Sequence, residues 1–237
     1  MFYSERLNLL FIASPKTGST SVESYLLNLD PDGERFKITL EDRVIDSSCV
    51  KSDSLGHATA RELREALGAK HYDAMHTFGF VRHPIEKLVS AYFFTRKGSL
   101  LGAFQIRTAK SKWRLVAKRI IGITAARILP FWFWALLFPM KKCSDYFLDS
   151  SGNIIVDFLG ATDRLDADLT GILSGLGVAI RDLRVPHVNQ SSHKKAHEYL
   201  VQDGFLHRCL QKRYADDLRL FALAKHGYVD CDKLRMS

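Results

Sequence analysis

The hydrophobic residues of this chain fall into short continuous runs that alternate with stretches of helical spacing, a pattern typical of an α/β protein. Residues 7–13 form the first continuous apolar run, and Pro15 and Gly18 end it, which predicts a buried parallel strand. Beyond this break, apolar residues recur at helical spacing from Val22 to Leu29. The sequence therefore predicts a strand, a short polar loop and a helix.

A second strand and helix follow about sixty residues later. Residues 78–81 predict another buried strand, with Arg82 at its carboxyl end. Pro84 suits the first turn of a helix, because the N–H that proline lacks has no intrahelical acceptor there. Apolar residues within 88–93 give that helix its buried face, and Ser90 lies about two turns from its start.

The rest of the chain gives weaker signals for regular structure. We expect, in chain order, a turn at residues 30–33, a short strand at 36–40, a polar loop at 41–54, a helix ending near Leu67, strands at 146–148 and 154–159, and helices at 167–176, 194–201 and 205–224. Asp163 is the expected cap of the helix at 167–176.

The loop after the first strand has the composition of an anion-binding turn. It joins the carboxyl end of a strand to the amino end of a helix, where backbone N–H groups and the helix dipole attract negative charge. Its candidate ligands are Lys16, Thr17, Gly18, Ser19, Thr20 and Ser21. A Walker A loop ends in Gly-Lys-Ser/Thr, whereas here the lysine precedes the glycine. A polar turn with an incidental lysine is the alternative interpretation.

Arg82 and Ser90 form the second candidate site. An arginine at the end of a strand and a serine eight positions later on a helix can converge on one phosphate. The guanidinium of the arginine would give charge-assisted hydrogen bonds, and the serine would add a hydroxyl donor. The alternative is that Arg82 only caps the surface.

Together, the segments PKTGSTS at 15–21 and FGFVRHPIEKLVS at 78–90 resemble the phosphate-binding motifs of sulfotransferases that use PAPS (3′-phosphoadenosine 5′-phosphosulfate). The resemblance is to the carbohydrate, Golgi-type group, sulfotransferase family 2. It implies that Lys16–Ser21 hold the 5′-phosphosulfate and that Arg82 and Ser90 hold the 3′-phosphate. It further implies an α/β, three-layer, P-loop-like domain with a central parallel sheet over residues 1–237, working without a metal.

The resemblance also indicates a catalytic base. Histidines between the two phosphate motifs serve this role in the resembled group, and His57 in Gly-His-Ala-Thr-Ala is our candidate. A cap or a packed polar residue is the ordinary role for a histidine at a helix start, and His71, His76 and His83 are rivals. Residues 185–193 resemble a loop that lies over the nucleotide. Its candidate ligands, with the two lysines that follow it, are Asn189, Ser192, Lys194 and Lys195.

Composition and charge narrow the partners without choosing one. With 46% hydrophobic and 25% charged residues, the chain is globular rather than disordered. The net charge of +8 favours a nucleotide, an acidic glycan, nucleic acid or an anionic membrane face. The four cysteines have no metal-ligand spacing, so we expect free thiols. No signal peptide precedes the first strand, which favours a cytoplasmic, bacterial-type form without the anchor of Golgi members.

Residues 98–140 differ from the rest, since basic residues at 107–119 precede an aromatic, apolar run. Residues 128–140 are too few to span a bilayer, and Arg127 interrupts a longer span. Three interpretations stay open: a buried helix that closes the acceptor cleft, a surface that rests on a membrane or glycolipid through 107–140, and an oligomer interface. Trp132, Phe133 and Trp134 suit sugar rings equally well.

We therefore expect sulfuryl transfer from PAPS to a hydroxyl of a carbohydrate or glycolipid, with no nucleic acid partner and an open oligomeric state. Two other classes remain. A P-loop kinase or NTPase uses a similar cradle, although this chain has no Gly-Lys-Ser/Thr and no evident Mg²⁺ ligand. A non-catalytic protein that binds anionic glycan or membrane through its basic surface is the second.

Overall fold

The computed structural model describes residues 1–40, 42–52, 55–99, 112–178, 198–199 and 204–231, and only the backbone of residues 112–115. The chain groups into two compact units. Unit 1 contains Met1–Arg82, Lys142–Asn189 and Asp216–Ser237, and unit 2 contains His83–Lys141 and Gln190–Ala215. One domain over the whole chain stays a prediction.

Unit 1 is built on a mixed sheet with a parallel centre. Its strands are β1 (Phe2–Ser4), β2 (Leu9–Ile12), β3 (Ile38–Thr39), β4 (Val44–Ile45), β5 (His76–Val81), β6 (Phe158–Ala161) and β7 (Val229–Asp230). Five of them form one sheet in the order β1-β2-β5-β6-β7, and β3 pairs with β4 separately. The central strands β2, β5 and β6 run parallel, whereas β1 and β7 are antiparallel edges. The predicted central parallel sheet is confirmed.

The helices described in the chain are, in order, α1 (Ser19–Leu29), α2 (Ala60–Leu67), α3 (Ala69–Tyr72), α4 (Pro84–Arg96), α5 (Lys112–Ile128), α6 (Phe131–Leu137), α7 (Ser144–Phe147), α8 (Leu165–Gly175), α9 (Phe205–Arg213) and α10 (Ala215–Ala224). Those of unit 1 form a layer on each face of the sheet. Side chains alternate along β2, so Leu9 and Phe11 pack with α1 and α8, while Leu10 and Ile12 pack with α2, α7 and α10. The three-layer prediction is confirmed for unit 1.

Two glycines in the central strands let aromatic side chains lie flat against the sheet. A Cβ at Gly79 would come within 2.2 Å of the Phe147 ring, and one at Gly160 within 2.5 Å of the Phe80 ring. Both aromatic side chains are fully buried. The aromatic rings therefore occupy the space that a larger residue would need, and β5 can pair closely with β6.

Unit 2 is helical in the part that the structure describes. α4 packs with α5 and α6, and α6 packs with α9. Its core contains Tyr92 from α4, Phe131 and Trp134 from α6, and Leu210 from α9. The hydroxyl of Tyr92 donates to the carbonyl oxygen of Leu129 over 2.9 Å, which fixes the link between α5 and α6.

Several local predictions were wrong, and in most cases distant contacts explain why. Residues 146–148 were predicted as a strand, but Ser144–Phe147 form the helix α7. The carboxylate of Asp217 accepts the backbone N–H groups of Cys143 and Ser144, which caps this helix from 74 and 73 residues away. The strand predicted at 154–159 begins at Phe158, although Leu148 and Ile154 do form an isolated antiparallel bridge.

Two other elements also differ from expectation. The loop predicted at 41–54 contains β4, which pairs with β3. The single helix predicted at 205–224 is broken at Tyr214. The Tyr214 hydroxyl accepts from the N–H of Met140 over 3.0 Å and donates to its carbonyl oxygen over 3.2 Å, and these contacts hold the bend.

None of the four cysteines forms a disulfide, as expected, and all four lie in described parts of the chain. Among the residues described, no helix combines the length and the hydrophobicity that a transmembrane segment requires.

Candidate functional site

The loop between β2 and α1 has a backbone shaped for anion binding. Two of its residues are left-handed, Lys16 with φ 67° and Gly18 with φ 77°. Glycine adopts this conformation readily, but a lysine pays a conformational penalty of about 1 kcal/mol or more. Gly18 is also the N-cap of α1 and makes no side-chain cap hydrogen bond. The first N–H groups of α1 therefore open onto the loop.

Arg82 and Thr162 support the loop from the ends of the neighbouring strands. Nη1 of Arg82, which follows β5, donates to the carbonyl oxygen of Lys16 over 3.4 Å. The hydroxyl of Thr162, which follows β6, lies 3.2 Å from the carbonyl oxygen of Thr17 and 3.0 Å from that of Val81. The structure thus brings together, within unit 1, the first motif and the arginine of the second.

These contacts determine which way the loop N–H groups face. In a trans peptide the carbonyl and the following N–H point in opposite directions. The carbonyls of Lys16 and Thr17 are directed to Arg82 and Thr162, so the N–H groups of Thr17 and Gly18 are directed away from these strand ends. Successive N–H groups on one side of a loop make a concavity that accepts an anion.

The hydroxyl residues of the loop differ in burial and in the group that each can present to an anion. Thr17 is buried, and its hydroxyl donates to the carbonyl oxygen of Ser14 over 2.8 Å, so its backbone N–H is the group available to an anion. Ser19 is half-buried and Thr20 is exposed on the first turn of α1, while Ser21 is buried. Hydroxyls of the first helical turn therefore lie at different depths around one loop.

The electrostatics of the loop favour a dianion. Lys16 is half-buried, and this burial, together with the charge of Arg82, lowers the pKa of its ammonium below the ordinary value of 10.5. The guanidinium of Arg82 is itself buried, with 8% of the residue exposed. A bound anion between the two would offset the repulsion between the Lys16 ammonium and the Arg82 guanidinium.

Ser90, the other predicted ligand of the second site, lies on α4 in unit 2. α4 begins at Pro84, as predicted, and Ser90 is buried, with 7% of the residue exposed. Lys87, on the first turn of the same helix, is buried too and donates from Nζ to the carbonyl oxygen of Lys141 over 2.9 Å. The pairing of Ser90 with Arg82 on one phosphate stays a prediction.

His57 is exposed, on a short 3₁₀ turn that precedes α2. Thr59 is the N-cap of that helix and forms a capping box with Glu62, which fixes where the turn ends. The nitrogen of Met1 donates to the carbonyl oxygen of Gly56 over 3.2 Å. Because Phe2 pairs with Phe11, Met1 lies beside the carboxyl end of β2, where the loop begins. His57 therefore follows a residue anchored at this edge of the sheet.

The sheet topology separates His57 from two of its rivals. His76 is the first residue of β5, whereas Arg82 follows its last, so His76 lies at the opposite end of the strand, roughly 20 Å from Arg82. His71 lies on α3, which leads directly into that same amino end. His83 follows Arg82 and belongs to unit 2. Of the candidate histidines in unit 1, only His57 directly follows a residue that is hydrogen-bonded at the end of the sheet that carries the loop.

Sequence patterns missed two residues that shape the site. Thr162 holds the loop from 145 residues away. Asp168 is buried and accepts the N–H of Ala161 over 2.9 Å, which holds the end of β6 against α8. Asp163, the predicted cap, lies on a 3₁₀ turn before α8, and α8 begins at Leu165 without a side-chain cap, so that prediction was wrong.

Two further predictions concern the ligands expected at residues 189–195 and the absence of a metal. Asn189, Ser192, Lys194 and Lys195, together with the helix predicted at 194–201, lie outside the described residues, apart from residues 198–199. Within the described ranges no cluster of His, Cys, Asp and Glu suits a metal ion.

Comparison with known proteins gives one family. The family model described as Sulfotransferase family matches residues 1–121, a stretch that contains the loop, His57, Arg82 and Ser90. No curated protein and no solved structure matches the chain.

Proposed function

The chain belongs to the sulfotransferase family, and from this premise we propose that it transfers a sulfuryl group from PAPS to a hydroxyl of a carbohydrate or glycolipid acceptor. The observation that carries the proposal is the contact between Arg82 and the carbonyl oxygen of Lys16, since it brings the arginine of the second segment to the loop within unit 1. A donor with phosphate groups at two ends suits two adjoining cationic segments.

The residues of unit 1 fit such a donor. When bound, PAPS supplies the sulfuryl group and a phosphate leaving group. Lys16 and the N–H groups of Thr17 and Gly18 would stabilise the charge that develops on the departing oxygen. Loss of one donor of this type typically lowers a rate by about 10² to 10³. Arg82 would hold the 3′-phosphate through charge-assisted hydrogen bonds.

His57 would accept the proton of the acceptor hydroxyl. It is exposed, so an acceptor can reach its imidazole, and histidine is the side chain that most often serves as a general base in enzymes. General-base catalysis of this kind contributes about 10² to 10⁴ to a rate. These residues supply cationic and backbone donors, the groups that take the place of Mg²⁺ in such chemistry.

Calorimetric titration with adenosine 3′,5′-bisphosphate tests the donor site, with AMP and ATP as controls. We expect micromolar affinity that requires the 3′-phosphate and falls by at least about tenfold in Arg82→Ala. Arg61→Ala, which removes an exposed arginine from α2, is the matched control and should bind normally. Preference for Mg-ATP would contradict the proposal and favour a kinase or NTPase.

The base assignment needs a separate experiment. His57→Ala should retain nucleotide affinity and lose at least about 10² in sulfuryl transfer from labelled PAPS to a panel of glycans and glycolipids. His71→Ala removes an exposed histidine at the opposite edge and should match the unchanged protein. Near-normal transfer by His57→Ala would remove His57 from the mechanism and leave the donor site unaffected.

A further inference from the structure

The net positive charge of the protein comes from one of its two units. Unit 2 holds 16 of the 34 lysines and arginines but 3 of the 26 aspartates and glutamates, so its net charge is +13. Unit 1, with 18 basic and 23 acidic residues, has a net charge of −5. No acidic residue occurs between Glu86 and Asp145. Unit 2 is therefore the unit whose net charge attracts an anionic surface.

Helices α5 and α6 of this unit expose apolar residues as well as burying them. Ile121 and Ile128 lie seven residues apart on one face of α5, and they are 58% and 74% exposed. Phe133 and Leu137 lie four residues apart on α6 and are 54% and 66% exposed. A helix on the surface of a soluble protein normally turns polar residues outward. The sequence of α6, FWFWALL, contains no charged residue at all.

Cations lie next to these apolar residues. Lys118 is exposed on α5, three residues before Ile121, and so lies on the same side of the helix. Nη1 of Arg213 donates to the carbonyl oxygen of Leu136 over 2.9 Å, which fixes a second cation at the end of α6. Exposed aliphatic and aromatic groups bordered by lysine and arginine are the combination that binds at a lipid interface.

We infer that the exposed faces of α5 and α6 dock on the surface of an anionic phospholipid bilayer. Headgroup phosphates would pair with Lys118 and Arg213, while apolar side chains enter the boundary of the acyl chains. A soluble polyanion would satisfy the cations but would leave the isoleucines in water. A second copy docked through the same face would bring two strongly positive surfaces together, which repel each other. The inference does not depend on the proposed sulfuryl transfer.

Co-sedimentation with vesicles tests the inference. One set contains phosphatidylcholine with about 30% phosphatidylglycerol, and the other contains phosphatidylcholine alone. We expect at least about tenfold stronger binding to the anionic set, weakened by salt because exposed charges are screened. Equal binding to both sets, or binding to neither, would overturn the inference.

Substitutions separate the apolar contribution from the charge. Phe133→Ser with Leu137→Ser should weaken binding to anionic vesicles by about tenfold, because the acyl contacts are lost. Phe36→Ser with Val44→Ser is the matched control in unit 1, since these residues are 62% and 54% exposed. The control should bind normally, and circular dichroism should show that both variants are folded. Unchanged binding of the α6 variant would overturn the inference.

A charge variant and a soluble competitor complete the test. Lys118→Ala with Arg213→Ala should weaken binding at least about fivefold, whereas Lys70→Ala with Lys225→Ala, both exposed in unit 1, should not. A soluble sulfated polysaccharide should compete only weakly. If it instead displaces the vesicles completely and the α6 variant binds it normally, the partner is a polyanion and the inference is wrong.

Discussion

Lys16 is central to the proposed donor site, and the folded protein holds it in an unfavourable state. Its backbone is left-handed, with φ 67°, and its ammonium is half-buried beside Arg82. Conformational strain at a non-glycine residue persists only where surrounding contacts hold it, and such residues cluster at functional sites. Here the hydrogen bond from Arg82 to the carbonyl of Lys16 is one such contact.

We predict that Lys16→Met lowers sulfuryl transfer by about 10² to 10³ and raises the melting temperature of the protein without ligand. Methionine keeps the left-handed backbone but removes the buried charge. Initial rates and thermal unfolding measure the two effects. Lys70→Met, on the surface of α3, should change neither, and a lower melting temperature for Lys16→Met would contradict the explanation.

The same variant predicts a pH dependence. Because the pKa of Lys16 is lowered in the folded protein, the folded chain releases this proton at a lower pH than the unfolded chain. The penalty for the buried charge is complete below the lowered pKa and disappears as the pH rises towards 10.5. The difference in melting temperature between Lys16→Met and the unchanged protein should therefore become smaller as the pH rises through this window. A widening advantage would show that the charge is not its cause.

Thr162 is expected to position the loop without contacting the donor. Thr162→Val keeps the shape of the side chain but loses the hydroxyl that lies between the carbonyls of Thr17 and Val81. We predict a loss of about 1 kcal/mol in unfolding free energy and an affinity for adenosine 3′,5′-bisphosphate about 3 to 10 times weaker. Thr170→Val, which loses a hydrogen bond within α8, is the control for stability alone and should keep full affinity.

The residues of the site divide into those that local patterns reveal and those that they do not. Lys16, Gly18 and Arg82 occur at strand ends beside helix starts, and such positions are visible in the sequence. Thr162 acts on a loop that lies 145 residues away in the chain, through contacts that only the fold creates. The sequence therefore indicates where Lys16 and Arg82 lie at the strand ends, whereas the residue that holds the loop backbone becomes visible only in the folded structure.

At the scale of elements, the central strands tolerate little change. A Cβ on Gly79 would lie 2.2 Å from the Phe147 ring, which is fully buried and cannot move without shifting α7. We predict that Gly79→Ala lowers the unfolding free energy by about 3 kcal/mol or more, since overpacking in a filled core is costly. Urea unfolding measures the loss.

Two further variants test this cause. Gly79→Ala combined with Phe147→Leu should recover part of the loss, because the smaller side chain makes room for the methyl group. Gly227→Ala, where nothing lies within 4 Å of the added Cβ, should be close to neutral. No recovery in the double variant would mean that backbone conformation rather than the ring sets the penalty.

Elements with strong local signals were predicted well, and short elements were not. β2, α1, β5 and α4 follow continuous apolar runs or helical spacing, and Pro84 marks the start of α4 as expected. α7 has only one turn, and its formation depends on Asp217 rather than on its own sequence. β4 has two residues and exists because β3 pairs with it. Sequence periodicity cannot predict elements that depend on tertiary contacts.

At the scale of the whole molecule, composition predicted the charge but not its distribution. The net charge of +8 is the sum of the charges of a basic unit and an acidic unit. The net charge of the whole protein therefore describes neither unit. The basic residues near 107–119 indicated part of this asymmetry. The acidic surplus of unit 1 is spread along three segments that are separate in the sequence. Only the fold shows that these segments belong to one unit.

The cysteines give a prediction for the intact molecule. Cys49 is exposed, Cys209 is half-buried, and Cys143 and Cys231 are buried. We predict that a thiol reagent modifies Cys49 first, reaches Cys143 and Cys231 only after unfolding, and detects four thiols in denaturant. A reductant should leave the melting temperature unchanged, because no disulfide constrains the unfolded chain. A lower melting temperature in reductant would reveal a disulfide.

The closeness of Lys16 and Arg82 has a practical consequence for anyone who handles the protein. Their mutual repulsion can be relieved by any small dianion, and inorganic sulfate and phosphate resemble the groups of the proposed donor. A phosphate storage buffer would then act as a weak competitive inhibitor and also as a thermal stabiliser. Preparations in phosphate would therefore have the highest thermal stability and the lowest turnover. Exchange into a chloride buffer would lower the stability and raise the turnover.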